Sequence, residues 1–172
     1  QALYSHTTGS ATDSYNTAIG YVAGSSITTG VNNTIIGGLA GDALVTGSYN
    51  VALGYGALSA ADGSESKNVA IGANSLAVLN NDGDAFNVAV GYSSGASMTT
   101  GTLNTIIGAL AGDAITSSIA NVAIGYNALS AEDTHGKNVA VGYQALKVQN
   151  AGADGYNTAV GFEAGKTIST AV

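Results

Sequence analysis

The residues able to do chemistry are few and sit in short polar stretches. Asn81, Asp82 and Asp84 lie together in NNDGDAFN, Asp62 and Glu65 in DGSES, and Glu132 and Asp133 in EDTH. Carboxylates and amides alternating with Gly offer the oxygen donors that Ca²⁺ takes. Asn81, Asp82 and Asp84 are the best candidate metal site. The EF-hand spacing is absent and the calcium-binding nonapeptide repeat is not matched, so solvated turn carboxylates are the competing reading. His6 and His135 fall in separate turns with no Ser–Asp arrangement beside them, and both read as surface-loop histidines. The stretch GGLAG at 37–41 has the glycines of a phosphate loop but lacks its Lys. No catalytic residue and no cofactor is expected beyond that candidate Ca²⁺. Asn32-Asn33-Thr34 is a glycosylation acceptor only in a host that reads it.

These stretches are held by a repeat. Asn16-Thr17-Ala18-Ile19-Gly20 recurs at Asn33, Asn50, Asn68, Asn87, Asn104, Asn121, Asn138 and Asn157, in steps of 17 to 19 residues. Residues 1–172 are therefore one repeat array, with a partial coil at 1–15 and repeats starting at 16, 33, 50, 68, 87, 104, 121, 138 and 157. Gln1-Ala2-Leu3 matches Gln144-Ala145-Leu146. The array is thus expected to begin inside a repeat, to be completed upstream or by a neighbouring subunit, and to lack polar caps.

A finer pattern divides the repeats into two kinds. Eight residues past the Asn stands Gly in five repeats (Gly24, Gly41, Gly95, Gly112, Gly165) and Leu in four (Leu58, Leu76, Leu129, Leu146). Eleven past the Asn, every Gly-type repeat has a large apolar residue (Ile27, Leu44, Met98, Ile115, Ile168), whereas Leu-type repeats have Ala61, Leu79, Glu132 and Gln149. A core filler that moves between two positions keeps the volume of the interior constant; the repeat with both Leu76 and Leu79 departs from this trade.

Composition narrows the function classes. Only 9% of residues are charged, and the net charge is −7 with four Lys and no Arg. Nucleic acid is thereby disfavoured, since phosphate binding needs clustered cations. No apolar run reaches the roughly 18 residues that span a bilayer, and the absence of Cys removes thiolate chemistry and disulfides.

A unit of 17 residues is too short for a helical hairpin or a propeller blade. It suits one coil of an all-β parallel β-solenoid, with two short strands and two turns per coil. Nine to ten coils stacked at roughly 4.8 Å would make a rod about 45 Å long. The nine asparagines are expected to form a turn ladder. Alternation along the strand puts Thr17 and Ile19 on one face and Ala18 and Gly20 on the other. Thr17 and Ile19 and their equivalents are expected to form the coil's own core, which leaves the small face for a second chain. Ala18, Gly20, Ile35, Ala52, Ile106 and Ala123 are accordingly expected to form an inter-chain face in a homotrimer. The aromatic position after each Gly (Tyr21, Tyr55, Tyr92, Tyr126, Tyr143, Phe162) reads as a ladder packing on itself or on sugar rings.

The stretches NTAIGYVAG, NTIIGGLAG, NVALGYGAL and NVAVGYQAL resemble the head repeats of trimeric autotransporter adhesins. They are closer still to the NTAIGYxAG arrays of phage tail fibres. The resemblance covers almost the whole chain, although the spacing is longer than the adhesin coil. It implies a left-handed β-roll, a homotrimer, a location outside the cell or on a virion, and adhesion to a cell-surface receptor or glycan. The function expected is a non-enzymatic structural or adhesive fibre segment. The alternative is a filament subunit stacking head to tail through open strand edges.

Overall fold

The computed structural model describes residues 1–7, 13–60, 63–132, 134–150 and 152–169; Ala61, Asp62 and Asp133 lie outside them. The chain is an all-β solenoid. Its strands are β1 (Thr17–Ile19), β2 (Thr34–Ile36), β3 (Val51–Leu53), β4 (Val69–Ile71), β5 (Val88–Val90), β6 (Thr105–Ile107), β7 (Val122–Ile124), β8 (Val139–Val141) and β9 (Thr158–Val160). They form a single parallel sheet in sequence order. The register stacks like on like: Val51 pairs with Val69, Ala52 with Ala70 and Leu53 with Ile71.

Each coil contributes one three-residue strand, not the two expected. The remaining backbone runs through turns, yet it still bonds coil to coil: Gly24 N–H donates to Ala40 O and Thr28 N–H to Val45 O, both at 2.9 Å. Left-handed backbone makes the corners. The residue eight past the Asn has φ near +50° whether it is Gly41 (φ 50) or Leu58 (φ 53).

The inside and the outside of the coil are the reverse of the sequence expectation. Ile35, Ala52, Ile106 and Ala123 are completely buried within the chain's own core, and Ala18 packs against that core. None of them is an inter-chain face. Gly20 serves the stack itself: with φ +135, a Cβ there would lie 2.5 Å from Gly37 O, so the corner glycines let successive coils approach. Thr17 and Ile19, expected in the core, point outward and are exposed.

The reason is the thinness of the coil. Opposite the strand stand Ile27, Leu44, Leu58, Leu76 and their equivalents, buried in every coil but the last, where Ile168 is exposed, and against such a wall the strand has room for Ala. Ile replaces Ala only where the wall recedes to Gly. A Cβ at Gly41 would meet Ile35 Cδ1 at 3.1 Å, and one at Gly95 would meet Ile106 Cδ1 at 3.3 Å. The core trade holds only in part: a Cβ at Gly24 would meet Ile27 Cδ1 at 3.0 Å, but Leu76, Leu129 and Leu146 are buried together with Leu79, Glu132 and Gln149 eleven past the Asn.

Candidate functional site

The asparagines sit just before each strand, at the corner where backbone from two coils must be joined. Asn33 Oδ1 accepts the N–H of Asn50 from the next coil at 3.0 Å, while its Nδ2 donates to Gly47 O near the end of its own coil at 2.8 Å. The same link joins Asn16 to Asn33 (2.8 Å), Asn50 to Asn68 (3.0 Å) and Asn68 to Asn87 (3.2 Å). It continues from Asn87 to Asn104 (3.0 Å), Asn104 to Asn121 (2.9 Å), Asn121 to Asn138 (3.0 Å) and Asn138 to Asn157 (3.2 Å). Seven of these side chains, from Asn33 to Asn138, are buried. Each therefore satisfies a backbone donor that water cannot reach.

Among the described residues, the three candidate metal ligands have separate surroundings. Asp84 is bound to Lys67 Nζ at 2.5 Å, Asp82 is exposed, and Asn81 Oδ1 is buried without a hydrogen-bond partner. Among the described residues no group of three or more His, Cys, Asp or Glu is placed to hold a metal ion.

Two carboxylates taken for solvated turn residues are interior. Glu65 and Glu132 are fully buried. Glu132 occupies the core-filler position between Ile115 and Gln149, accepts the N–H of His135 at 3.1 Å and lies 3.6 Å from His135 Nδ1. His6 is half-buried, with neither ring nitrogen hydrogen-bonded.

What remains is the outer face of the sheet. Strand positions one and three past the Asn point out along the whole rod, as Thr17 and Ile19, Val51 and Leu53, Thr105 and Ile107 illustrate. Two rows flank them. On one edge, five past the Asn, stand Tyr21, Tyr55, Tyr92, Tyr126, Tyr143 and Phe162, interrupted by Gly38, Ala73 and Ala109. Where this row is unbroken the rings stack, Tyr126 on Tyr143 at 5.5 Å and Tyr143 on Phe162 at 5.1 Å between centroids.

Sequence reading missed the other edge, the residue just before each Asn. It carries Tyr15, Tyr49, Phe86, Leu103 and Tyr156, all exposed. Lys67 lies over the Phe86 ring and Lys137 over the Tyr156 ring, at 5.0 and 5.1 Å. The recurrence of large residues before the motif was the available signal.

The face is nearly without charge. Among the described residues, these rows carry Lys67 and Lys137, each paired within the chain, to Asp84 and Asp154 at 2.5 Å, and Asp13 accepts the Tyr15 hydroxyl at 2.8 Å beside one edge. The Lys137 amine is held well above the ordinary lysine range by its bonds to Asp154 and Tyr156, and the Asp154 carboxyl is held low by Lys137 and the N–H of Gly136. A purely parallel sheet is ordinarily covered on both sides. Here the core covers one side and the other is bare in the single chain. No family model, curated protein or solved structure matches the chain.

Proposed function

We propose that the chain is a rigid segment of a structural or adhesive fibre, a parallel homotrimer of the kind its repeats resemble in phage tail fibres and trimeric adhesins, working outside the cell or on a virion surface. The observation that carries this reading is the bare outer face. Seven residues wide and nine strands long, it presents on the order of 800 Å². The largest apolar patch on a typical monomer is about 300–600 Å², and each partner in a stable complex buries about 800 Å². Continuous, and with its lysines paired within the chain, it fits another copy of the same chain better than water. The mechanism is mechanical: stacked coils with a backbone bond at every step transmit load and hold a receptor- or glycan-binding surface away from its anchor. Left-handed winding belongs to the same reading.

Light scattering over a range of concentrations tests it. A constant mass of three times the 16.7 kDa chain is expected. A monomer at every concentration would refute it, and a mass that climbs without limit would favour head-to-tail filament growth instead.

A further inference from the structure

We infer that neighbouring copies meet edge to edge at the same coil height, the row five past the Asn in one copy packing against the row before the Asn in the next. This rests on the trimer reading and specifies its contact.

The first observation is a co-occurrence. Where the edge before the Asn is aromatic, the opposite edge of the same coil is aromatic too: Tyr15 with Tyr21, Tyr49 with Tyr55, Phe86 with Tyr92. Where it is not, the opposite edge is small in three coils (Asn32 with Gly38, Lys67 with Ala73, Leu103 with Ala109) and aromatic in two (Ala120 with Tyr126, Lys137 with Tyr143), the two whose rings stack within their own row. Within one chain the two edges lie on either side of a strand, up to about 20 Å apart at full extension. Among the described residues the ring stacking runs up one row and does not cross between them. Contact inside the chain therefore does not account for the matching. Contact between copies does, because a cyclic assembly brings the right edge of each chain to the left edge of the next. Six residues of a 17-residue coil rise about 2 Å at roughly 4.8 Å per coil, under half a step, so the facing residues belong to the same coil.

The second observation is backbone strain. The residue before the Asn has positive φ in every coil, among them Tyr15 (φ 50), Tyr49 (φ 62), Phe86 (φ 54) and Tyr156 (φ 47). Left-handed backbone costs a residue with a Cβ roughly 1–2 kcal/mol, and Gly or Asn would relieve it. Yet the side chains kept there are large and exposed, Tyr15 to 72% and Tyr156 to 68%. Tyr15 bonds Asp13, Lys67 lies over Phe86 and Lys137 over Tyr156, yet these contacts leave the rings exposed; a partner's edge row would cover them.

The chain has no cysteine, so Tyr49→Cys and Tyr55→Cys can be made singly and co-assembled. Mild oxidation or a short bismaleimide should link Y49C to Y55C, leave each single variant alone unlinked, and turn the double variant into a covalent trimer. Light scattering on the same samples reports assembly separately. A trimer of full mass without the 49–55 link, or one in which Y55C links to itself, overturns the edge contact and leaves the fibre reading intact. A wild-type monomer refutes both. If either variant keeps its circular dichroism but loses the trimer, that also places its row in the interface.

Discussion

The backbone N–H of Asn104 donates to Oδ1 of Asn87 at 3.0 Å, and the same Asn87 side chain donates to Gly101 O at 2.8 Å. Both asparagines are buried. Asn87→Ala would leave one buried donor and one buried acceptor without partners. An orphaned buried group costs about 1–3 kcal/mol, so the unfolding midpoint in urea should fall clearly. Asn87→Asp keeps the acceptor but loses the donor and buries a charge, and it should be at least as damaging near neutral pH. If Asn87→Ala unfolds like wild type, the ladder is not a stabilising element.

The corner glycines make a sharper contrast. Gly91 has φ +140, and a Cβ there would meet Gly108 O at 2.5 Å. Gly91→Ala adds a steric clash between coils to backbone strain and should destabilise by well over the roughly 1 kcal/mol of an ordinary core change. Gly63 lacks a positive φ, and a Cβ on it would meet nothing within 4 Å. Gly63→Ala should be neutral or slightly stabilising through the unfolded chain. Equal losses in thermal melts of the two variants would refute the stacking role.

Period, strand position and ladder can all be read from the sequence because they recur in register from Asn16 to Asn157; the core trade is less regular, since Leu79, Glu132 and Gln149 are buried beside Leu76, Leu129 and Leu146. The orientation of the strand was not legible in the same way. Alternation separates Ala18 from Thr17 and Ile19 but does not say which set faces in, and size points the wrong way in a coil too thin for large residues on both walls. One signal was present: Ile35 and Ile106 stand only in coils whose eighth position is Gly, as expected if both positions share one interior. The burial of Glu132 was marked too, since it falls eleven past Asn121, in line with Ile115. The charge of the residue obscured its place.

Asp42 and Asp113 occupy the same place in coils that differ little in sequence. Each has a buried Oδ1 without a hydrogen-bond partner, and burial raises both carboxyl groups above the ordinary 3.8 despite local backbone N–H bonds. A carboxyl raised in the folded state disfavours folding once ionised. That penalty is complete above the folded pKa, fades as pH falls through it, and is gone below the unfolded value. Asp42→Asn should therefore raise the melting temperature modestly near pH 7 and leave it unchanged at about pH 3. Asp154 has the opposite sign: its lowered carboxyl stabilises above the ordinary value, and that contribution is lost as pH falls through the folded pKa. A gain from Asp42→Asn that grows on acidification would exclude burial as the cause.

The core trade can be tested by swapping coil types. Ile27 is fully buried, and its tip lies 3.0 Å from where a Cβ on Gly24 would stand, with Leu3 Cδ2 at 3.4 Å. Ile27→Ala should cost about 2–5 kcal/mol through the cavity it opens. Gly24→Leu alone should cost about 1–3 kcal/mol by overpacking. The backbone tolerates Leu here, since Gly24 has φ 57 and Leu58 and Leu129 adopt φ 53 and 52 at the same position of other coils. In the double variant the new Leu fills the space Ile27 vacated, so the coil becomes Leu-type. Its loss should fall below the sum of the two single losses by about 0.5–3 kcal/mol, the range for contacting residues. Strict additivity in a double-mutant cycle would mean that the two positions do not share a volume, and the alternation of Gly and Leu along the array would need another explanation.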